Sequence, residues 1–168
     1  MANLSKVSIP VSISVTAATL VLIISTVQLA AAKPPAVSAK ADVVAVVHQF
    51  FDNLDPKTLE KALAACDSPV SILDEFPPHV WYGPTACADW WKALLAYEEM
   101  SGITDGVAKL GPPWAVDVSG DRAYFVGPTV YTYKQHGKPV QEPRAVFTVA
   151  LRRTDAGWRI TSWAWSKH

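Results

Sequence analysis

Residues 122–166, RAYFVGPTVYTYKQHGKPVQEPRAVFTVALRRTDAGWRITSWAWS, decide the fold. Three extended runs, Arg122 to Lys134, Pro139 to Arg153 and Trp158 to Ser166, are rich in β-branched and aromatic residues. They are parted by Gln135-His136-Gly137-Lys138 and Thr154-Asp155-Ala156-Gly157, where Gly or Asp supplies the left-handed or Asx-type backbone of a hairpin. A further run upstream, Val107 to Val118, closes on Ser119-Gly120-Asp121 in the same way. The four runs therefore read as an antiparallel meander. Period-2 alternation then sorts the side chains. Phe125, Gly127, Thr129, Tyr131 and Tyr133 share one face of their run, Phe147, Val149 and Leu151 are the core candidates of the next, and Trp158, Ile160 and Ser162 share the inner face of the last. Continued alternation throws Trp163 and Trp165 outward. They would then be either a self-association surface, making a homodimer, or half-exposed surface aromatics.

Before the meander the period changes. Val43, Val46, Val47, Phe50 and Leu54 recur at helical spacing, and Asp55-Pro56 sets a cap and a first-turn proline for a second helix carrying Leu59, Leu63 and Cys66. Asp67-Ser68-Pro69 ends that helix. Val70 to Phe76 reads as a short strand, broken by Pro77-Pro78 before a second extended piece, His79 to Tyr82. Gly83-Pro84-Thr85 opens a third helix, with Cys87, Trp90, Trp91, Leu94 and Leu95 on its bulky apolar face. The expected fold class is α+β: a cone-shaped, curved antiparallel sheet wrapped around three N-terminal helices, with an internal pocket between them.

The N-terminus reads differently. Residues 1–32 carry one charged side chain, Lys6, then an apolar stretch from Val7 to Leu29 and the small residues Ala30-Ala31-Ala32. This is the pattern of an export signal cleaved after Ala32, and its length also suits an uncleaved membrane anchor. Residues 33–40 have the composition of a linker, so the domain is expected over 41–168. The expected location is secreted or periplasmic, with membrane association only if the N-terminal segment is retained. In an oxidising compartment Cys66 and Cys87 could form a disulfide, the other reading being two buried thiols. Fifteen basic residues against fifteen acidic ones, unclustered, leave no electrostatic footprint for nucleic acid.

Two helices, a short strand, a third helix and a four-strand meander, in that order, resemble the SnoaL-like and ketosteroid-isomerase-like branch of the nuclear transport factor 2-like superfamily. The resemblance spans Ala41 to Ser166. Its local carriers are Val46-Val47-His48-Gln49-Phe50, the pair Leu73-Asp74 nine residues before Gly83, and the closing Gly157-Trp158-Arg159-Ile160. It implies a cofactor-free fold whose members include isomerases, dehydratases, hydrolases and non-catalytic modules. In ketosteroid isomerases a carboxylate shuttles the proton while a tyrosine and a protonated aspartic acid hold the dienolate oxygen. The base position falls on Asp74. The two oxyanion positions fall on Phe50 and near Val149, neither of which donates a hydrogen bond, and loss of such donors removes several kcal/mol of transition-state stabilisation. A steroid isomerase is therefore not expected.

Asp74, among Ile72, Leu73 and Phe76, is the leading candidate for a general base if it points inward, since desolvation would raise its pKa. It could instead face outward, with Glu75 inward. His79 at the expected pocket mouth and Tyr131 are candidate assistants. The ligand-lining set is Phe50, Trp91, Thr129, Tyr131, Tyr133, Phe147 and Ser162. His48, four residues before Asp52, suits an exposed helical pair. No metal-ligand spacing, nucleophile elbow or phosphate-cradling motif occurs. The expected function is binding of a small apolar or aromatic molecule. The alternatives are an isomerase, lyase or hydrolase using Asp74, and a structural dimer or protein-interaction module.

Overall fold

A computed structural model describes residues 36–167. The expected export segment, residues 1–32, lies outside the described residues. The element order is α1 (Ala36–Phe51), α2 (Leu59–Leu63), β1 (Cys66–Leu73), β2 (Val80–Gly83), α3 (Ala86–Met100), β3 (Ile103–Leu110), β4 (Ala115–Ser119), β5 (Arg122–Gln135), β6 (Lys138–Thr154) and β7 (Gly157–Lys167). The seven strands form one curved sheet in the order β2-β1-β7-β6-β5-β3, with β4 also paired to β5.

The helices differ from expectation at their ends. α1 starts at Ala36, inside the expected linker, because the residues after Pro34-Pro35 are free of proline and include the strong helix formers Ala36, Ala39 and Lys40. α2 is a short helix over Leu59–Leu63. Asp55 is spent on a local turn, its Oδ1 accepting the Lys57 amide at 2.8 Å, so Pro56 opens a turn rather than the helix. Cys66, Asp67, Ser68 and Pro69, expected to end that helix, begin β1 instead.

The meander of β5, β6 and β7 is antiparallel, but β1 joins it alongside β7 in parallel, placing Ile72 opposite Trp163. The sheet is therefore mixed. Alternation reveals which residues share a face and says nothing of strand direction, so the parallel pair was invisible to it.

One row across the inner face runs Trp81, Ile72, Trp163, Val149 and Phe125, all buried. Val43, Val47 and Phe50 of α1 pack into this face, as their spacing requires. Phe50 lies parallel to Phe147 with ring centroids 6.1 Å apart, and Trp90 of α3 meets Trp163 edge to face at 4.7 Å. At 1% exposure Phe50 is closed off from solvent, and its truncation to Ala would cost about 3–5 kcal/mol.

Trp163 and Trp165 face inward, contrary to strict alternation. The register of β7 against β6 slips between Ala150 and Leu151: Leu151 pairs with Ile160, and Ala150 with Ser162. Thr161 is the extra residue of a β-bulge. It moves every later side chain of β7 to the opposite face, so Trp163, Trp165 and Lys167 turn inward and Ser162 turns out. A second slip lies between the Thr129–Ala145 and Tyr131–Glu142 pairs, leaving Pro143 and Arg144 in a bulge on β6. Proline, lacking an amide hydrogen, is tolerated there. That bulge turns Glu142 to the inner face.

A disulfide joins Cys66 at the start of β1 to Cys87 in the first turns of α3. Asp67 of β1 also holds the guanidinium of Arg152 on β6 through both carboxylate oxygens. That bidentate bond lowers the Asp67 pKa.

Candidate functional site

Between the curved inner face and helices α1 and α3 lies a cavity of about 140 Å³. Phe50 and Phe51 of α1, Trp90 and Leu94 of α3, and Phe147 and Trp163 of the sheet give it apolar walls. α3 presents Trp90, Leu94, Tyr97 and Glu98 to it, residues spaced by three and four along one helix face.

Asp74 follows the last residue of β1, and its carboxyl faces this cavity. It is 8% exposed. Its Oδ2 accepts the indole N–H of Trp90 at 2.8 Å and its Oδ1 accepts the Glu75 amide at 2.7 Å. Burial dominates and pushes its pKa up to about 6, while the Trp90 and Glu75 hydrogen bonds favour the anion and oppose part of the rise. Asp74 is thus a buried carboxyl held by two hydrogen bonds, able to gain or lose a proton at about pH 6.

Across the same cavity Tyr131 donates its hydroxyl to Glu98 Oε1 at 2.5 Å, and Tyr133 donates to Glu142 Oε1 at 2.9 Å. Burial, and then the Glu98 carboxylate, push the Tyr131 phenol far above its usual range, so it stays protonated. Tyr133 is raised by the same two kinds of cause. Lys167 bridges Glu75 at 2.8 Å and Glu142 at 2.9 Å. Burial works against its charge, and the two carboxylates outweigh burial and hold it cationic.

Of the residues singled out in the sequence, Asp74, Phe50, Tyr131, Tyr133 and Phe147 line the cavity. Four others do not. Trp91 is buried elsewhere in the core, because a step of one residue on α3 rotates the side chain about 100° and gives the cavity to Trp90. Thr129 is on the inner face and 1% exposed, away from the cavity lining, with its hydroxyl unpartnered. Ser162 is turned out by the bulge at Thr161. His79 is exposed beyond the end of β1, where its ring nitrogen meets only the Asp74 carbonyl, at 3.2 Å. It neither touches the Asp74 carboxyl nor lines the cavity. Phe50 and Val149 occupy the two positions where the resemblance implied oxyanion donors, and Val149 is fully buried away from the cavity.

Sequence reading missed Trp90 as the partner of Asp74, and Glu98, Glu142, Trp165 and Lys167 as lining residues. The helical spacing of Glu98 from Leu94 was a usable signal. Glu142, Trp165 and Lys167 were hidden by the bulges. Among the described residues no three His, Cys, Asp or Glu side chains come together to hold a metal ion.

Residues 41–167 match the family model of the SnoaL-like domain. None of the curated proteins matches the sequence. Solved structures give the fold. A nuclear transport factor 2-like protein with a cystatin-like fold from Novosphingobium aromaticivorans is similar with a TM-score of 0.64 at 18% identity, over 78% of this chain and 82% of that one. A nuclear transport factor 2-like superfamily protein from Salmonella enterica serovar Typhimurium gives 0.65 at 14% identity, over 79% and 93%. A type 2 hexachlorocyclohexane dehydrochlorinase gives 0.66 at 12% identity, over 79% and 86%.

Proposed function

The chain belongs to the SnoaL-like domain family, and from that premise we propose that it binds a small, ring-sized, largely apolar molecule in the cavity between the sheet and helices α1 and α3. The observation that carries this reading is the cavity itself: about 140 Å³, walled by aromatic rings, with the buried carboxyl of Asp74 presented to its interior. An apolar cavity of about 150 Å³ accepts a benzene ring, whereas drug-sized pockets run to about 300–1,000 Å³. A single ring with a short substituent fits this volume, and a fused four-ring steroid does not. Titration of the full-length protein with benzyl alcohol, followed by calorimetry and tryptophan fluorescence, tests the reading. Saturable one-to-one binding that is lost when Ala108 in the cavity wall is enlarged to Leu is the expected result. An absence of binding by ring-sized compounds would overturn it.

Asp74 favours a second, catalytic reading of the same pocket. A carboxyl with a pKa of about 6, fixed by Trp90, suits abstraction of a proton from a bound substrate. Within this reading elimination fits better than enolate or acyl chemistry. The hydroxyl protons of Tyr131 and Tyr133 are already given to Glu98 and Glu142, so neither is free to hold a developing oxyanion, and the one unpartnered buried donor of the lining among the described residues is the weakly acidic indole N–H of Trp163. In an elimination Asp74 takes the proton, the C–H electron pair becomes the new double bond, and the leaving group departs with its own bonding pair. The fold shared with a dehydrochlorinase at 12% identity is no support for this chemistry, which rests on Asp74 and the committed hydroxyls. Turnover that rises with pH through about 6 and collapses in Asp74→Asn is the expected result.

A further inference from the structure

The polar groups of the cavity are sorted by sign. Among the described residues Asp74, Glu75, Glu98 and Glu142 contribute four carboxyls to its lining, and Lys167 is the one basic side chain there. Lys167 is itself gripped by two of the four. The tyrosine hydroxyls add acceptors rather than donors, because Tyr131 and Tyr133 have each turned their proton onto a glutamate. The Trp90 N–H is likewise spent on Asp74, which leaves the buried indole N–H of Trp163 as the unpartnered donor of the lining among the described residues. Glu142 Oε2 is buried with no hydrogen-bond partner, an acceptor that a ligand donor would satisfy. The ring faces beside these carboxylates belong to Tyr131, Tyr133 and Trp165, with Tyr131 and Tyr133 centroids 4.9 Å apart and Tyr131 meeting Trp165 edge to face at 6.5 Å. Carboxylates set among electron-rich ring faces attract a positive charge and repel a negative one.

Resting on the pocket reading above, we infer that the ligand of this cavity is a compact organic cation: a protonated amine on a ring-sized apolar body, with its N–H groups toward Glu98 and Glu142 and its ring among Phe50, Trp90 and Phe147. A bare metal ion fits less well, since the carboxyls are spread around the walls and no three of them converge among the described residues. A carboxylate or phosphate ligand would meet four carboxyls, with Lys167 already neutralised by Glu75 and Glu142.

Three compounds of one shape and different charge test this on the full-length protein: benzylamine, benzyl alcohol and benzoate, titrated calorimetrically at about pH 7.5, where the amine is protonated. Benzylamine should bind at least about tenfold tighter than benzyl alcohol, and benzoate should not bind measurably. Benzyl alcohol binding as tightly as benzylamine, or benzoate binding best, would overturn the cation inference while leaving the pocket reading intact. Failure of all three to bind would overturn both. In Glu98→Gln and Glu142→Gln the benzylamine to benzyl alcohol affinity ratio should fall by about three- to tenfold. An unchanged ratio in both variants would also overturn the inference, and if either variant fails to fold, the comparison on the parent protein still decides it.

Discussion

At Asp74 the cost of a buried carboxylate can be measured. The pKa in the fold, about 6, lies above the ordinary value of 3.8, so the folded state binds the proton more tightly than the unfolded chain does. Below pH 3.8 the group is protonated in both states and costs nothing. Between 3.8 and about 6 stability falls as pH rises, and above about 6 the full penalty, about 3 kcal/mol, is present. Asp74→Asn removes this titration. It also sets an amide NH2 against one of two N–H donors, Trp90 or Glu75, at a cost of about 1–3 kcal/mol that does not vary with pH. Relative to the parent, the variant should therefore gain about 3 kcal/mol between pH 3.5 and 8, read from denaturant melts across that range. A flat difference would show that Asp74 keeps its ordinary pKa in the fold. At Gly106 the constraint is space. A Cβ there would collide with the Tyr131 hydroxyl, with Glu98 Oε1 only 3.2 Å away. Gly106→Ala should displace the Tyr131–Glu98 pair, lowering stability by about 1–3 kcal/mol and weakening ligand binding in the cavity.

Elements are fixed here by devices worth one residue each. The bulge at Thr161 lets β7 present Trp158 and Ile160 to one part of the core and Trp163, Trp165 and Lys167 to another. Deleting Thr161 would leave a regular ladder in which Trp163 and Trp165 still fall on the face of Trp158 and Ile160. The expected outcome is a folded domain that keeps the cavity, with tryptophan emission unshifted. Emission shifted to the red would mean that the bulge itself is needed to seat the indoles. The disulfide holds the start of β1 to α3, and its 21-residue separation predicts a loss of about 3 kcal/mol when both cysteines become Ser. Equal melting of parent and variant would contradict that. The hairpin strands were legible because turn chemistry and alternation act locally. The joining of β1 to β7, about ninety residues apart in sequence, left no local signal, and neither did the bulges, because an extra residue is visible only against its partner strand.

At the scale of the whole molecule, the outer face of the sheet replaces the two indoles as the candidate for self-association. One row across it runs Tyr82, Ser71, Ser162, Ala150 and Tyr124, and the next Val80, Leu73, Ala164, Thr148 and Val126. Tyr82 is 76% exposed, Val80 56% and Leu73 51%. We propose that this face pairs with a second copy, since tyrosines at both ends of a row with small residues between them are self-complementary about a two-fold axis. Sedimentation at micromolar concentration should show a dimer that Leu73→Lys with Tyr82→Lys converts to a folded monomer. A monomeric parent would remove the proposal. We also propose export with cleavage after Ala32, a reading that the disulfide supports through the compartment it requires. N-terminal sequencing of exported protein should begin at Lys33, and intact Met1 in a membrane fraction would favour the anchor.

The sequence by itself determined the fold class and the helical faces that meet the sheet, because each follows from periodicity and turn chemistry within a few neighbouring residues, and it singled out Asp74 while leaving its direction open. Only the tertiary structure decided the sign of the cavity. Glu98 reaches Tyr131 across 33 residues, and Glu142, Trp165 and Lys167 enter only after two register slips. Those placements depend on which strand lies beside which and in what phase, and a one-residue slip in phase exchanges the two faces of a sheet without changing the composition of either strand.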